Sequence, residues 1–181
     1  MTRSEDMSEF DFLLKFDLAD PNSDPDKFVD ALYEAGCDDA TIGIGQHGRV
    51  ALNFTREAAS AFDAVASAIA DVKKAIPDAR LVEATPDLVG LTDIAEILGC
   101  SRQNIRKLVI GNKSVFPSPV HDGHSAIWHL AKVLPWFKAK GNYKIDDSLV
   151  EVSGANMQVN IARQMQDLEP AFHRNIQALL A

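Results

Sequence analysis

Between Phe10 and Ala84 the spacing of apolar residues switches repeatedly between two and three-to-four, and this switching constrains the fold more than any other feature. In FDFLLKFDL, Phe10, Phe12, Leu14, Phe16 and Leu18 alternate with Asp11, Lys15 and Asp17, the pattern of a strand with one buried face. In ADPNSDPDKFVDALYEAG the period lengthens, with Phe28, Ala31, Leu32 and Ala35 as an apolar stripe. Asp24 is placed to cap that helix, Pro25 suits its first turn and Gly36 the position past its end. ATIGI and RVALNF then have the character of two short strands. EAASAFDAVASAIADVKKAI returns to helical spacing through Phe62, Val65, Ala66, Ile69, Val72 and Ile76. A last short strand, from Arg80 to Ala84, is stopped by Pro86.

The resulting order, βαββαβ, resembles the ferredoxin-like split motif, which implies a four-stranded antiparallel sheet with two helices on one face. Acylphosphatases and RNA-recognition domains share that fold. The former need an arginine in the loop after the first strand, where this chain has aspartates. The latter stack bases on exposed aromatics amid basic charge, whereas these aromatics alternate as a core face does.

Gly43, Gly45 and Gly48 match G-x-G-x-x-G, the dinucleotide fingerprint. That chemistry needs the last glycine to open a helix, so that amides and dipole face a pyrophosphate. Here Gly48 precedes a strand, and the glycines are expected to supply the turn of a β-hairpin.

The formal charge of -8 argues against nucleic acid only until it is mapped. Residues 1–90 hold 8 Lys/Arg against 18 Asp/Glu, a net of -10. Residues 91–141 hold 7 against 3, a net of +4, and residues 142–181 hold 3 against 5. An acidic front joined to a basic segment is the asymmetry expected when one module meets a polyanion and the other does not. No apolar run is long enough to span a membrane, and MTRSEDMSEF lacks the apolar core of a secretory signal. Cys37 and Cys100 are expected to be reduced core thiols, which points to the cytoplasm.

Within the basic segment, LTDIAEILGCSRQNIRKLVIG predicts two helices joined by a tight turn. Thr92 is placed to cap the first, with Ile94, Ala95 and Leu98 facing inward. Gly99 permits a left-handed turn residue. Ser101 caps the second helix, which turns Ile105, Leu108 and Val109 inward and leaves Arg102, Gln103, Asn104, Arg106 and Lys107 outside. Arginine can fork onto guanine, glutamine or asparagine onto adenine, and lysine onto phosphate. FPSPV, HDGH and SAIW follow as a two-stranded wing turning at Asp122 and Gly123, then HLAKVLPWF as a closing helix bracketed by Trp128 and Trp136. Pro135 inside that helix removes a backbone bond, so the helix is expected to kink or start late.

Residues 90–140 thus resemble the excisionase-like and MerR-like winged helix-turn-helix family of phage-type regulators. The resemblance implies binding to double-stranded DNA, with the second helix in the major groove and the wing along the backbone or minor groove. Carried over by position, Ser101, Arg102, Gln103, Asn104, Arg106 and Lys107 belong to the recognition helix, and Lys113, His121 and His124 to the wing side. His121 and His124 flank a turn with no cysteine nearby, which favours surface or phosphate-facing imidazoles over a metal site.

The final stretch is helical, and Met157, Ile161, Met165, Leu168, Phe172, Ile176 and Leu179 form a seam that needs cover from the chain's own domains or from a second copy. Pro170 is expected to break it, and residues 141–147 to form a hinge before it. The expected whole is an α+β protein: residues 1–9 a flexible tail, 10–87 a ferredoxin-like domain, 88–141 a winged helix-turn-helix and 142–181 a C-terminal helical segment. No catalytic arrangement, metal or cofactor is legible. The expected role is a dimeric, sequence-specific regulator, most simply a repressor. The alternatives are an antitoxin with a toxin partner, a ligand-sensing protein whose first domain does the main work, and an excisionase-type DNA-bending protein.

Overall fold

The computed structural model describes residues 7–43 and 45–180. The chain is mixed α and β. Four strands, β1 (Ser8–Asp17), β2 (Ala40–Gly43), β3 (Arg49–Ala58) and β4 (Arg80–Thr85), form one antiparallel sheet in the order β2-β3-β1-β4. Residues 1–6 of the expected tail lie outside the described residues, and Ser8 and Glu9 belong to β1.

Strand alternation creates the core. Phe10, Phe12, Leu14 and Phe16 point to one face of β1, and the antiparallel register sets Phe12 opposite Phe54, Leu14 opposite Leu52 and Phe16 opposite Val50. The Phe12 and Phe54 rings stack at 5.3 Å. The opposite face carries Glu9, Asp11, Asp17, Thr55 and Glu57 and stays open to water. A 3-10 turn (Pro25–Phe28), capped by the Asp24 side chain, leads into α1 (Val29–Ala35), which ends on left-handed Gly36. α2 (Ala61–Ala75) starts on the Ser60 cap. Its buried face is Ala61, Ala64, Val65, Ala68 and Val72, rotated from the expected stripe, and Phe62 is exposed. Small alanines let this helix lie close to the sheet, so volume rather than hydrophobicity chose the face.

Gly48 sits at φ 73°, and a Cβ there would lie 2.7 Å from Pro21 Cα. Its N–H donates to the Ser23 carbonyl and its own carbonyl accepts from Leu18, both at 2.8 Å, so Gly48 pins the loop that follows β1. It opens a strand, not a helix.

A second hydrophobic cluster lies downstream. It is built by β5 (Leu88–Val89), α3 (Leu91–Ile97), α4 (Arg102–Gly111), β6 (Trp128–His129) and α5 (Leu130–Lys140). β5 and β6 pair antiparallel, a two-residue ladder that sequence periodicity does not disclose. α5 runs unbroken through Pro135. Half-buried Tyr143 and Ile145 pack against this cluster, so the expected hinge at 141–147 is tied down.

α6 (Asp147–Met165) joins the two clusters. Val152 and Ala155 enter the first, and Leu149 and Val150 lean on the second. Val159 packs against the first as well, and three polar residues of the inward face, Ser153, Asn156 and Asn160, are buried. α7 (Pro170–Leu180) follows a short link, with Pro170 at its first position. No helix among the described residues is long and apolar enough to cross a membrane.

Candidate nucleic-acid interface

α3 and α4 meet through buried Ile94, Ala95 and Ile105, with Leu98, Leu108 and Val109 packed beside them. A small side chain at Ala95 lets the helices approach, and Cys100 N–H closes the turn on the Ala95 carbonyl at 2.9 Å. Gly99 takes φ 63° at that turn, a conformation that favours glycine. The first cap differs from expectation. Gly90, not Thr92, is the N-cap residue of α3, and its N–H donates to the Asp93 carboxylate at 2.7 Å. Glycine tolerates that site because Asp93 reaches back to satisfy it. Ser101 caps α4 as expected, its Oγ accepting from the Asn104 N–H at 3.2 Å.

With Ile105 fully buried, the helical period forces the opposite face of α4 outward. Arg102, Gln103, Asn104, Arg106 and Lys107 are all exposed, as are Lys113, His121 and His124 beyond the helix. Arg102, Arg106, Lys107 and Lys113 have no carboxylate within salt-bridge distance among the described residues. The first sheet behaves otherwise: Lys15 pairs with Glu83, Arg49 with Asp17 and Arg56 with Asp39 and Asp71. Three of that sheet's cations are thus paired with carboxylates, whereas among the described residues none of those along α4 is.

The expected wing is reduced. His121 and Ile127 form a single bridge that closes a loop over residues 122–126, while residues 117–119 have no regular structure. The partner of Trp128 is Val89 of β5, not a strand at 116–120. Two prolines, Pro117 and Pro119, account for this, since neither can donate to a ladder. An aromatic cluster holds the segment instead. Phe116 meets the rings of Trp128, Trp136 and Phe137 edge-on at 5.9, 4.9 and 6.0 Å, and Trp128 Nε1 donates to the Pro117 carbonyl at 3.0 Å. Trp136 lies inside α5 rather than beyond it. Between α4 and this loop runs a groove of about 380 Å³ with Ile110, Pro119 and Ala126 in its wall and Arg106 and Lys113 at its rim.

One cation adjoins this face that sequence spacing does not place. Lys140, at the end of α5, lies over the Trp136 ring at 4.5 Å, and its Nζ is 3.4 Å from Asn112 Oδ1. Asn112 caps α4 and holds the Leu108 carbonyl through its Nδ2 at 2.7 Å. Twenty-eight residues separate Lys140 from Asn112, so no local pattern links them.

His129, the third imidazole of this segment, faces away from the loop: its Nδ1 is 2.6 Å from Asp87 Oδ1, a buried carboxylate. No family model, curated protein or solved structure matches the chain.

Proposed function

We propose that residues 88–141 act as a winged helix-turn-helix and that the protein is a sequence-specific regulator of transcription, a repressor by operator occupancy. One observation carries this reading. A ten-residue helix has its inner face plugged by Ile105 and its outer face lined by Arg102, Gln103, Asn104, Arg106 and Lys107, and none of its cations lies within salt-bridge distance of a carboxylate among the described residues. Unpaired exposed cations interleaved with amides are what base edges and phosphates require. Exposed Lys113, His121 and His124 would be the contacts that follow the DNA backbone.

The preceding domain is of the ferredoxin-like type, a reading supported by the strand order β2-β3-β1-β4 with α1 and α2 between strands. Beside the pairs Lys15–Glu83 and Arg49–Asp17, its open face carries Glu9, Asp11 and Glu57, which have no salt-bridge partner among the described residues. Such a surface repels phosphate and weakens nonspecific binding, which favours sites where base contacts add energy. A dimer would set two α4 helices about 34 Å apart on a symmetric operator.

Selection from random DNA duplexes tests the reading. A single enriched motif is expected, lost when Arg102, Gln103 and Arg106 are replaced by alanine together. Selection that survives the triple replacement removes α4 as the reading helix. Circular-permutation gel shifts separate occupancy from DNA bending, with little position dependence expected.

A further inference from the structure

α6 faces the core with Val152, Ala155, Asn156 and Asn160, and that choice leaves Ile161 and Met165 near its end outside. Ile161 and Met165 are 39% and 40% exposed, and the surface continues through Leu168 in the link at 43%. In α7 it reaches Phe172 at 57%, Leu179 at 80% and Leu180 at 82%, and α7 has no buried residue. A helix this short is marginal in water without a packing partner, the threshold being roughly 12–15 residues. Among the described residues, no α7 side chain is buried against the rest of the fold.

Three properties of the surface identify the occupant. Residues 161–180 hold Arg163 and Arg174 against Asp167 and Glu169, so the segment is neutral although the chain carries -8. Neither a polyanion nor a strongly basic partner is matched by such a face, whereas a second copy meets it without like-charge repulsion. The exposed apolar side chains offer roughly 600 Å² per copy, close to the ~800 Å² per partner of a standard interface once rim residues are added. A helical stripe such as Phe172, Ile176 and Leu179, spaced four and three, is self-complementary about a two-fold axis.

The geometry points to α7 and the exposed face of the end of α6 as the homodimer interface of this protein. This deepens the dimeric regulator reading by naming the segment that dimerises, and it leaves the DNA-contacting residues untouched. Because the contact is isologous, each substitution acts twice in the dimer.

Analytical ultracentrifugation of the full chain, in the absence of DNA, is the test. The native chain is expected to be dimeric at micromolar concentration. Phe172→Glu with Leu179→Glu is expected to weaken self-association by roughly 100-fold or more. The milder Phe172→Ser with Ile176→Ser is expected to weaken it less. The urea midpoint of the monomer should change little for both pairs, since no α7 residue is buried in its own fold. A native chain that stays monomeric at 100 times that concentration overturns the proposal, and so does a doubly charged variant that remains dimeric. A large fall in monomer stability would show that α7 packs on its own domains, which also overturns it. Loss of DNA selection with an intact dimer would instead count against α4 alone.

Discussion

The side chain of Asn160 is bonded to both backbone groups of Ala84: its Oδ1 accepts the Ala84 N–H and its Nδ2 donates to the Ala84 carbonyl, each at 2.8 Å. β4 is an edge strand, and Asn160 supplies there what a fifth strand would have supplied. The second Nδ2 hydrogen goes to Asp87 Oδ2 at 2.8 Å, while Asp87 Oδ1 takes His129. One carboxamide thus ties α6 to the first sheet and to the start of the second cluster.

Asn160→Ala should therefore cost about 2–4 kcal/mol, because it strands a buried N–H, a buried carbonyl and one oxygen of Asp87. Asn160→Asp should cost more, since it removes the donor and sets two carboxylates together. Urea unfolding midpoints give both values. A cost below about 0.5 kcal/mol for the alanine variant would mean that water replaces the carboxamide at no loss.

Arg56 is buried near the end of β3, and every direction of its guanidinium is occupied. Nε and Nη2 fork onto Asp39 at 2.6 and 2.9 Å, Nη1 reaches Asp71 at 2.8 Å and Ser67 at 3.0 Å, and Nη2 also meets the Gly36 carbonyl at 2.7 Å. Burial by itself disfavours the charged form, but the bonds to Asp39 and Asp71 outweigh it and the net shift is upward. Arg56→Met should lower stability by about 3–5 kcal/mol, because two carboxylates lose their counter-charge. Adding Asp39→Asn and Asp71→Asn to that variant should restore a large part of the loss. A triple variant no more stable than the single one would show that packing, not charge, sets the effect.

These two residues also show what a sequence discloses. The strands were legible because Phe10, Phe12, Leu14 and Phe16 alternate with charge, and the pair α3–α4 because Ser101, Gly99 and Ile105 each have a local role. The inward face of α6 was not, because its anchors Ser153, Asn156 and Asn160 are polar. Hydropathy spacing selects the seam through Ile161 and Met165, which faces solvent. Polar burial depends on partners far along the chain, 76 residues away for Ala84, and leaves no periodic trace. β5 was missed for a related reason, since two residues carry no period. Residue type alone points to Thr92 as the cap, while Gly90 holds that position because Asp93 satisfies it.

The two cysteines should behave differently. Cys37 is wholly buried and Cys100 is half-buried at the turn between α3 and α4. Burial pushes the Cys37 thiol up from 9.0 to about 11, and the charge of Asp71 acts in the same direction. The folded state thus prefers the neutral thiol. Its contribution is complete below pH 9 and is lost as pH rises through about 11. Native stability should fall across that window faster than that of Cys37→Ala, with the two curves running parallel below it. At neutral pH a thiol reagent should modify Cys100 first and Cys37 only after unfolding. Equal rates for both would contradict the packing around Cys37.

Phosphate contacts and base contacts leave separate signatures, so under the proposed DNA-binding function the cations around α4 can be sorted by salt. A lysine on phosphate releases counterions, and its loss lowers the slope of log K against log salt by about 0.9 for every sequence alike. Lys107→Ala and Lys113→Ala should each do this, with the preferred motif retained. Arg106→Ala should instead reduce discrimination at one base position by about 1–3 kcal/mol. Lys140→Ala is the sharper case, because only the fold brings that residue beside Asn112. If its ammonium follows the backbone past the end of α4, its loss lowers the slope as Lys113 does. Lys15→Ala is the control: that lysine is paired with Glu83 on the acidic sheet, and its removal should leave the slope unchanged. An effect from Lys15 equal to that from Lys107 would place DNA on the sheet and away from α4.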